Sequence, residues 1–98
     1  MSKTVTILEI ANREYLDSKE FYELEQKGLG LAFMAEVGYA ITRIQQFPQL
    51  GDKSTSDTRR MLLTRFPFQI FYKEYESHIA IISISHQHRS PDYWVNRV

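Results

Sequence analysis

The sequence predicts an α+β fold in one domain spanning residues 1–98. The order is β-α-α-β-β-β: an N-terminal strand, an antiparallel helical hairpin packed on one face of a small, mainly antiparallel sheet, and a short C-terminal segment. Three observations carry this. Two stretches between residues 10 and 47 place apolar side chains at helical spacing and are split by Gly28 and Gly30. Residues 58–85 contain three runs rich in β-branched and aromatic residues that alternate with a period of two. At 98 residues, the chain has length for one hydrophobic core and none to spare for a second.

The first element is TVTIL at 4–8, whose β-branched and apolar alternation predicts a strand. From Ile10 to Lys27 neither proline nor glycine interrupts, and Ala11, Tyr15, Ser18 and Tyr22 recur in steps of four, three and four. Those steps align side chains on one helical face. Gly28 and Gly30 mark a tight connection. The second helix has the strongest periodicity in the chain: Leu29, Phe33, Val37, Ala40, Ile41, Ile44 and Phe47 fall within about 120° of arc at ~100° per residue. Pro48 ends it, because the residue before a proline is pushed out of the α region.

GDKSTSD at 51–57 reads as a loop. Three predicted strands follow, at 58–66, 68–75 and 78–85, the last two joined by a turn at Glu76-Ser77. In the second of them Phe68, Ile70 and Tyr72 share one side; in the third Ala80, Ile82 and Ile84 are set against Ile79, Ile81, Ser83 and Ser85. One side is then core under the helices. The other, mixing Gln, Lys, Ser and Ile, is expected to be an open, partly solvated surface on which a partner can dock.

Twelve basic residues balance twelve acidic ones, so attraction to nucleic acid has to come from a local patch, and binding to free nucleic acid is not expected. Without cysteine there is no disulfide framework, thiolate nucleophile or Cys-ligated zinc. No stretch approaches the ~20 apolar residues of a membrane helix, and a soluble cytoplasmic protein is expected. No cofactor is implied.

The densest chemistry lies in HQHRSPDYWVNR at 86–97. His86 continues the parity of Ile82 and Ile84, which predicts a hydrogen-bonded, half-buried structural histidine. His88 lies past the regular strand beside Arg89, where an imidazole can move a proton near neutral pH. Two histidines spaced His-x-His can share a metal, but zinc takes three or four protein ligands and no third is near in sequence. Pro91 and Trp94 read as structural, closing the sheet's end. Arg59 and Arg60, with Arg65 and Arg89, are candidates for a phosphate clamp, against the ordinary reading that arginines beside strands solvate sheet edges.

Several segments, taken in order, carry a family resemblance: the first strand and the Ala11–Tyr22 helix, KGLGLAF at 27–33, IQQFPQLG at 44–51, RRMLLTRFPFQIFY at 59–72 and IAIISISHQHRSPDYWVNR at 79–97. Over nearly its whole length the chain resembles the RelE/ParE superfamily of bacterial toxins, especially the ParE-like plasmid-stabilisation branch. The resemblance implies a cytoplasmic toxin of a type II toxin–antitoxin system, held inactive by a cognate antitoxin whose C-terminal segment folds around it. Characterised ParE-like members poison DNA gyrase, while RelE-like members cut mRNA on the ribosome.

Where RelE-like nucleases place an arginine before the apolar-apolar-Tyr of the middle strand, this chain has Gln69. The first expectation is therefore growth inhibition by contact with gyrase or another target. Antitoxin or target would meet Gln69, Phe71, Lys73, Ser83 and Ser85. The second is ribosome-dependent mRNA cleavage by His88, Arg89 and Arg65, and the third a member that only binds its antitoxin. Whether the protein is an enzyme stays open at this point.

Overall fold

A computed structural model describes residues 3–89 and 94–97 of the chain. Strand β1 (Thr4–Ile7) leads into helix α1 (Glu9–Glu25) and helix α2 (Leu29–Gln46). Then come β2 (Asp52–Lys53), β3 (Arg59–Leu62), β4 (Phe68–Glu74) and β5 (His78–His86), and a short 3-10 turn at Val95–Arg97. The sheet order is β1-β5-β4-β3-β2. β1 runs parallel to β5, with Thr4 opposite His78, and every other pair is antiparallel. Parallel neighbours need a crossover, and the helical hairpin lies within it.

The hairpin turns where the sequence places its glycines. Gly28 holds φ +88°, a left-handed conformation that costs a side chain dearly. The Glu23 carboxylate accepts hydrogen bonds from the Gly28 N–H (3.0 Å) and the Gly30 N–H (3.0 Å), so a residue of α1 caps the first turn of α2. A Cβ on Gly30 would lie 2.8 Å from the Lys19 carbonyl, so the two helices meet there backbone to backbone.

The main core lies between the hairpin and the sheet. Ala11 and the α2 stripe Phe33, Val37, Ala40 and Ile44 are buried against Ile70, Tyr72, Ile79, Ile81 and Ile84. Phe33 is the hub of an aromatic nest. Its ring centroid lies 5.9 Å from Tyr15, 5.3 Å from Tyr22, 5.2 Å from Phe66 and 5.0 Å from Phe68, the last two edge to face. Phe47 departs from the predicted stripe: at φ −135°, ψ 78° it has already left the helix, and it is 60% exposed.

Two further expectations are corrected. The window 51–57 is not all loop, since Asp52 and Lys53 pair with Arg60 and Arg59 across a turn that holds Ser56 and Asp57 at positive φ. Asp tolerates that conformation locally, and a two-residue strand has no periodicity to detect. The predicted alternation in β5 also fails at its middle. Phe71 is opposite Ser83 and Tyr72 opposite Ile81, so Ile82 is an extra, bulged residue. Below the bulge Ile79 and Ile81 face the helices, above it Ile84 does, and Ile82 points to the opposite face.

Tyr72 ties β4 to the exit of α2. Its buried hydroxyl donates to the Pro48 carbonyl (2.8 Å) and accepts from the Gly51 N–H (2.9 Å). Burial pushes this phenol above its ordinary value of 10.0, and the Gly51 N–H and Arg59 pull it partly back. Because the unfolded chain gives up this proton first, the contribution is fully present below about pH 10 and falls as pH rises beyond it. Tyr72→Phe is expected to cost about 1–3 kcal/mol in urea unfolding at neutral pH, by stranding the buried Gly51 N–H and the partly buried Pro48 carbonyl. It should also flatten part of the alkaline loss, the rest coming from Tyr15 and Tyr22, whose phenols burial also raises. An unchanged midpoint in both ranges would show that the hydroxyl is no clasp.

Candidate functional site

The end of the sheet where β5 finishes gathers most of the predicted chemistry. The Gln87 N–H donates to the Pro67 carbonyl (2.8 Å) and its amide to the Phe68 carbonyl (3.0 Å), which joins the segment after β5 to the β3–β4 connection carrying Arg65. The Glu36 carboxylate of α2 accepts from the Thr64 hydroxyl (2.9 Å) and the Arg65 N–H (2.9 Å), pinning that connection from the other side. Arg65 is exposed, with its guanidinium 5.8 Å from the Phe66 ring centroid.

His86 is half-buried at the strand end, its ring edge-on to Phe68 at 5.6 Å and stacked on His88 at 4.8 Å. The His88 N–H donates to His86 Nδ1 (3.1 Å), and this acceptor role leaves the ring proton of neutral His86 on Nε2. His88 and Arg89 are exposed, and the Arg89 N–H donates to the His86 carbonyl (3.0 Å). Backbone hydrogen bonds thus bring the segment carrying His88 and Arg89 and the connection carrying Arg65 to one end of the sheet. Among the described residues no group of His, Asp and Glu side chains could hold a metal ion.

The sheet face away from the helices is not the open surface expected. Gln69, Phe71, Ser83 and Ser85 are buried, and of the five predicted contact residues Lys73 is the one with partial exposure. The C-terminal segment supplies cover: Trp94 is fully buried against Phe71, ring centroids 4.9 Å apart, and Ile82. Ser83 donates to Ser85 (3.0 Å), and Gln69 donates through its amide to the His86 carbonyl (3.2 Å). Gln69 therefore holds the strand end. Pro91, the other predicted plug, lies outside the described residues.

That cover is fastened by an ion pair without any signal in the sequence. Arg97 donates to both Glu14 carboxylate oxygens (3.0 and 3.1 Å) and to the Ile82 carbonyl (3.1 Å), while Glu14 also accepts from the Ile84 N–H (3.1 Å). β1 pairs with β5 only as far as Ile81, so these two side chains serve backbone groups just past the point where the neighbouring strand runs out.

Arg59 and Arg60, the phosphate-binding candidates, go to different places. Arg59 donates to the Gly51 (2.8 Å) and Gln49 (3.2 Å) carbonyls and so secures the loop after α2. Its neighbour Arg60 projects to the other side of the strand and lines a groove of about 360 Å³ between α2 and β3, with Tyr39, Arg43, Leu50 and Leu62. Tyr39 and Leu62 are 64% and 48% exposed there, a surface that the sequence reading missed because its parts come from three separate segments.

No protein-family model matches the chain, and no curated protein matches it by sequence. Its architecture is nevertheless shared with solved structures: the chain has the fold of the RelE/ParE toxins. One similar chain is from the chromosomal ParDE TA system of P. aeruginosa, with a TM-score of 0.76 and 16% identity over 87% of this chain and 96% of that one. A second is a mutant of E. coli toxin RelE in the free state, with a TM-score of 0.76 and 16% identity over 100% of this chain and 99% of that one. A third is the same RelE mutant in complex with an antitoxin RelBc peptide, with a TM-score of 0.66, 13% identity, and coverage of 100% and 96%. No helix among the described residues is long and apolar enough to cross a membrane.

Proposed function

We propose that the chain is the toxin of a type II toxin–antitoxin pair, neutralised by a cognate antitoxin protein in the cytoplasm, and that it inhibits growth by binding DNA gyrase or another macromolecular target. The observation that carries this reading is the fold match to RelE over the whole chain and to the ParDE chain over 87% of it, together with a RelE structure that holds an antitoxin peptide. Exposed apolar side chains suit such a partner: Tyr39, Leu50 and Leu62 along the α2–β3 groove, and Phe21, Leu24 and Leu31 around the hairpin tip.

A contact mechanism is favoured over catalysis by how the polar groups are used. Gln69 and Arg59 are committed to backbone carbonyls of the fold, and the chain is neutral overall, whereas the ribosomal RNA surface is densely anionic. One observation supports ribosome-dependent mRNA cleavage as the second reading: the Gln87–Pro67 hydrogen bond brings the segments that carry His88, Arg89 and Arg65 to one end of the sheet. In that reading His88 takes or returns the proton, and the two arginines stabilise the charge developing on phosphorus.

Induction of the gene alone, and then with its genomic neighbour, tests the toxin reading. Growth arrest relieved by the neighbour is the expected result, and unaffected growth in both cultures overturns toxicity and leaves a member that only binds its antitoxin. Purified protein then separates the targets. Accumulation of cleaved DNA in a gyrase supercoiling assay is expected, whereas codon-positioned cuts in ribosome-bound mRNA that are lost in His88→Ala/Arg89→Ala support the second reading instead.

A further inference from the structure

We infer that the pocket between the second half of α1 and the end of the sheet is a receptor for an arginine side chain presented by a partner protein. The inference stands on this pocket alone and does not require the partner to be an antitoxin. The pocket is an open depression of about 270 Å³ lined by Asp17, Ser18, Phe21 and Tyr22 of α1, Phe68 of β4 and His86 of β5. Its walls are aromatic: Phe21 and Tyr22 meet edge to face at 5.5 Å, Tyr22 and Phe68 at 6.0 Å, and Phe68 and His86 at 5.6 Å. Phe21 is 57% exposed, which leaves ring surface for a ligand to cover.

The charges select the occupant. α1 carries Glu9, Glu14, Asp17, Glu20, Glu23 and Glu25 against Arg13 and Lys19. Three of these carboxylates are already engaged: Glu9 by Arg13, Glu14 by Arg97 and Glu23 by the glycine N–H groups of the hairpin turn. Asp17 has no ion-pair or hydrogen-bond partner among the described residues, and it stands on the rim of the aromatic walls. The His86 Nδ1 is taken up by the His88 N–H (3.1 Å).

A phosphate would be repelled by Asp17, and a purely apolar side chain would strip water from Asp17 and Ser18 without replacing it. A guanidinium avoids both penalties. It is planar and weakly hydrated, stacks on aromatic faces, and presents a fork to a carboxylate, whereas a lysine ammonium is a more strongly hydrated point charge. The aliphatic stem of the arginine covers the Phe21 ring.

The test is an amide-correlation NMR titration of the full chain with N-acetyl-arginine methylamide, its citrulline and lysine counterparts, and guanosine monophosphate. Saturable shifts at Asp17, Phe21, Phe68 and His86 are expected with the arginine probe, about tenfold weaker binding with citrulline, and intermediate binding with lysine. Asp17→Asn and Phe21→Ala each alter an exposed side chain and are expected to weaken arginine binding by about tenfold while the remaining spectrum is preserved. Equal binding of citrulline and arginine, or arginine binding untouched by Asp17→Asn, overturns the proposal. So does tighter binding of guanosine monophosphate to the same residues, which would make the pocket a nucleobase slot.

Discussion

Phe33→Ala is expected to remove about 3–5 kcal/mol of folding free energy, the range for truncating a buried aromatic ring whose cavity cannot collapse. That is a large share of the roughly 5–15 kcal/mol that holds a domain of this size together. The ring is completely buried and lies within 5.9 Å of four other aromatic rings drawn from α1, the β3–β4 connection and β4. No neighbour can fill the void without giving up its own packing. Urea unfolding followed by circular dichroism checks this, and Phe33→Leu, which keeps most of the volume, should lose markedly less. A loss below about 1 kcal/mol for the alanine variant would show that the nest closes over the gap, and that α2 is held chiefly by Val37 and Ile44.

Trp94→Ala should cost a similar amount, about 3–5 kcal/mol, but through the other side of the sheet. Trp94 forms the second core with Phe71 and Ile82, and its removal leaves those two side chains facing water. Its indole Nε1–H is buried without a hydrogen-bond partner among the described residues, so Trp94→Phe gives up ring area but strands no further polar group there. The phenylalanine variant is therefore expected to retain most of the stability. Amide hydrogen exchange adds a local readout: exchange at Phe71, Ile82, Ser83 and Ser85 in Trp94→Ala is expected to speed up by more than at the amides of the helix-side core. Unchanged exchange at those amides would mean that the C-terminal segment does not protect this face.

How much of this was legible in the sequence depends on the range of the interaction. The α2 stripe from Leu29 to Ile44 could be read directly, because helical periodicity is a local property and burial of that arc is its consequence. The same holds for the Gly28 turn and for the hairpin at Glu76-Ser77, closed by the Tyr75 N–H donating to the His78 carbonyl (2.8 Å). β5 shows where such reading stops. Its composition marks a strand, but the bulge at Ile82 reverses which side chains face the helices, and nothing within the strand announces an extra residue.

The candidate site divides in the same way. His88, Arg89 and Arg65 were recognisable by residue type, and the Gln87–Pro67 bond brings their segments to one rim. Glu14, Asp17 and Phe21 were invisible because each reads as an ordinary residue on the polar side of an amphipathic helix. Their meaning comes from partners 47 to 83 positions away, such as Phe68 and His86 beside the pocket or Arg97 on Glu14.

By itself the sequence determined the order of helices and strands, the stripe that α2 must bury and the residue types gathered near the C-terminus, because these follow from local periodicity and turn chemistry. Only the tertiary structure decided which sheet face is closed, which arginines are consumed in holding loops and where an unengaged carboxylate meets aromatic walls. Such outcomes depend on contacts between segments far apart in the chain. Their energy is realised only once a common core has brought those segments together.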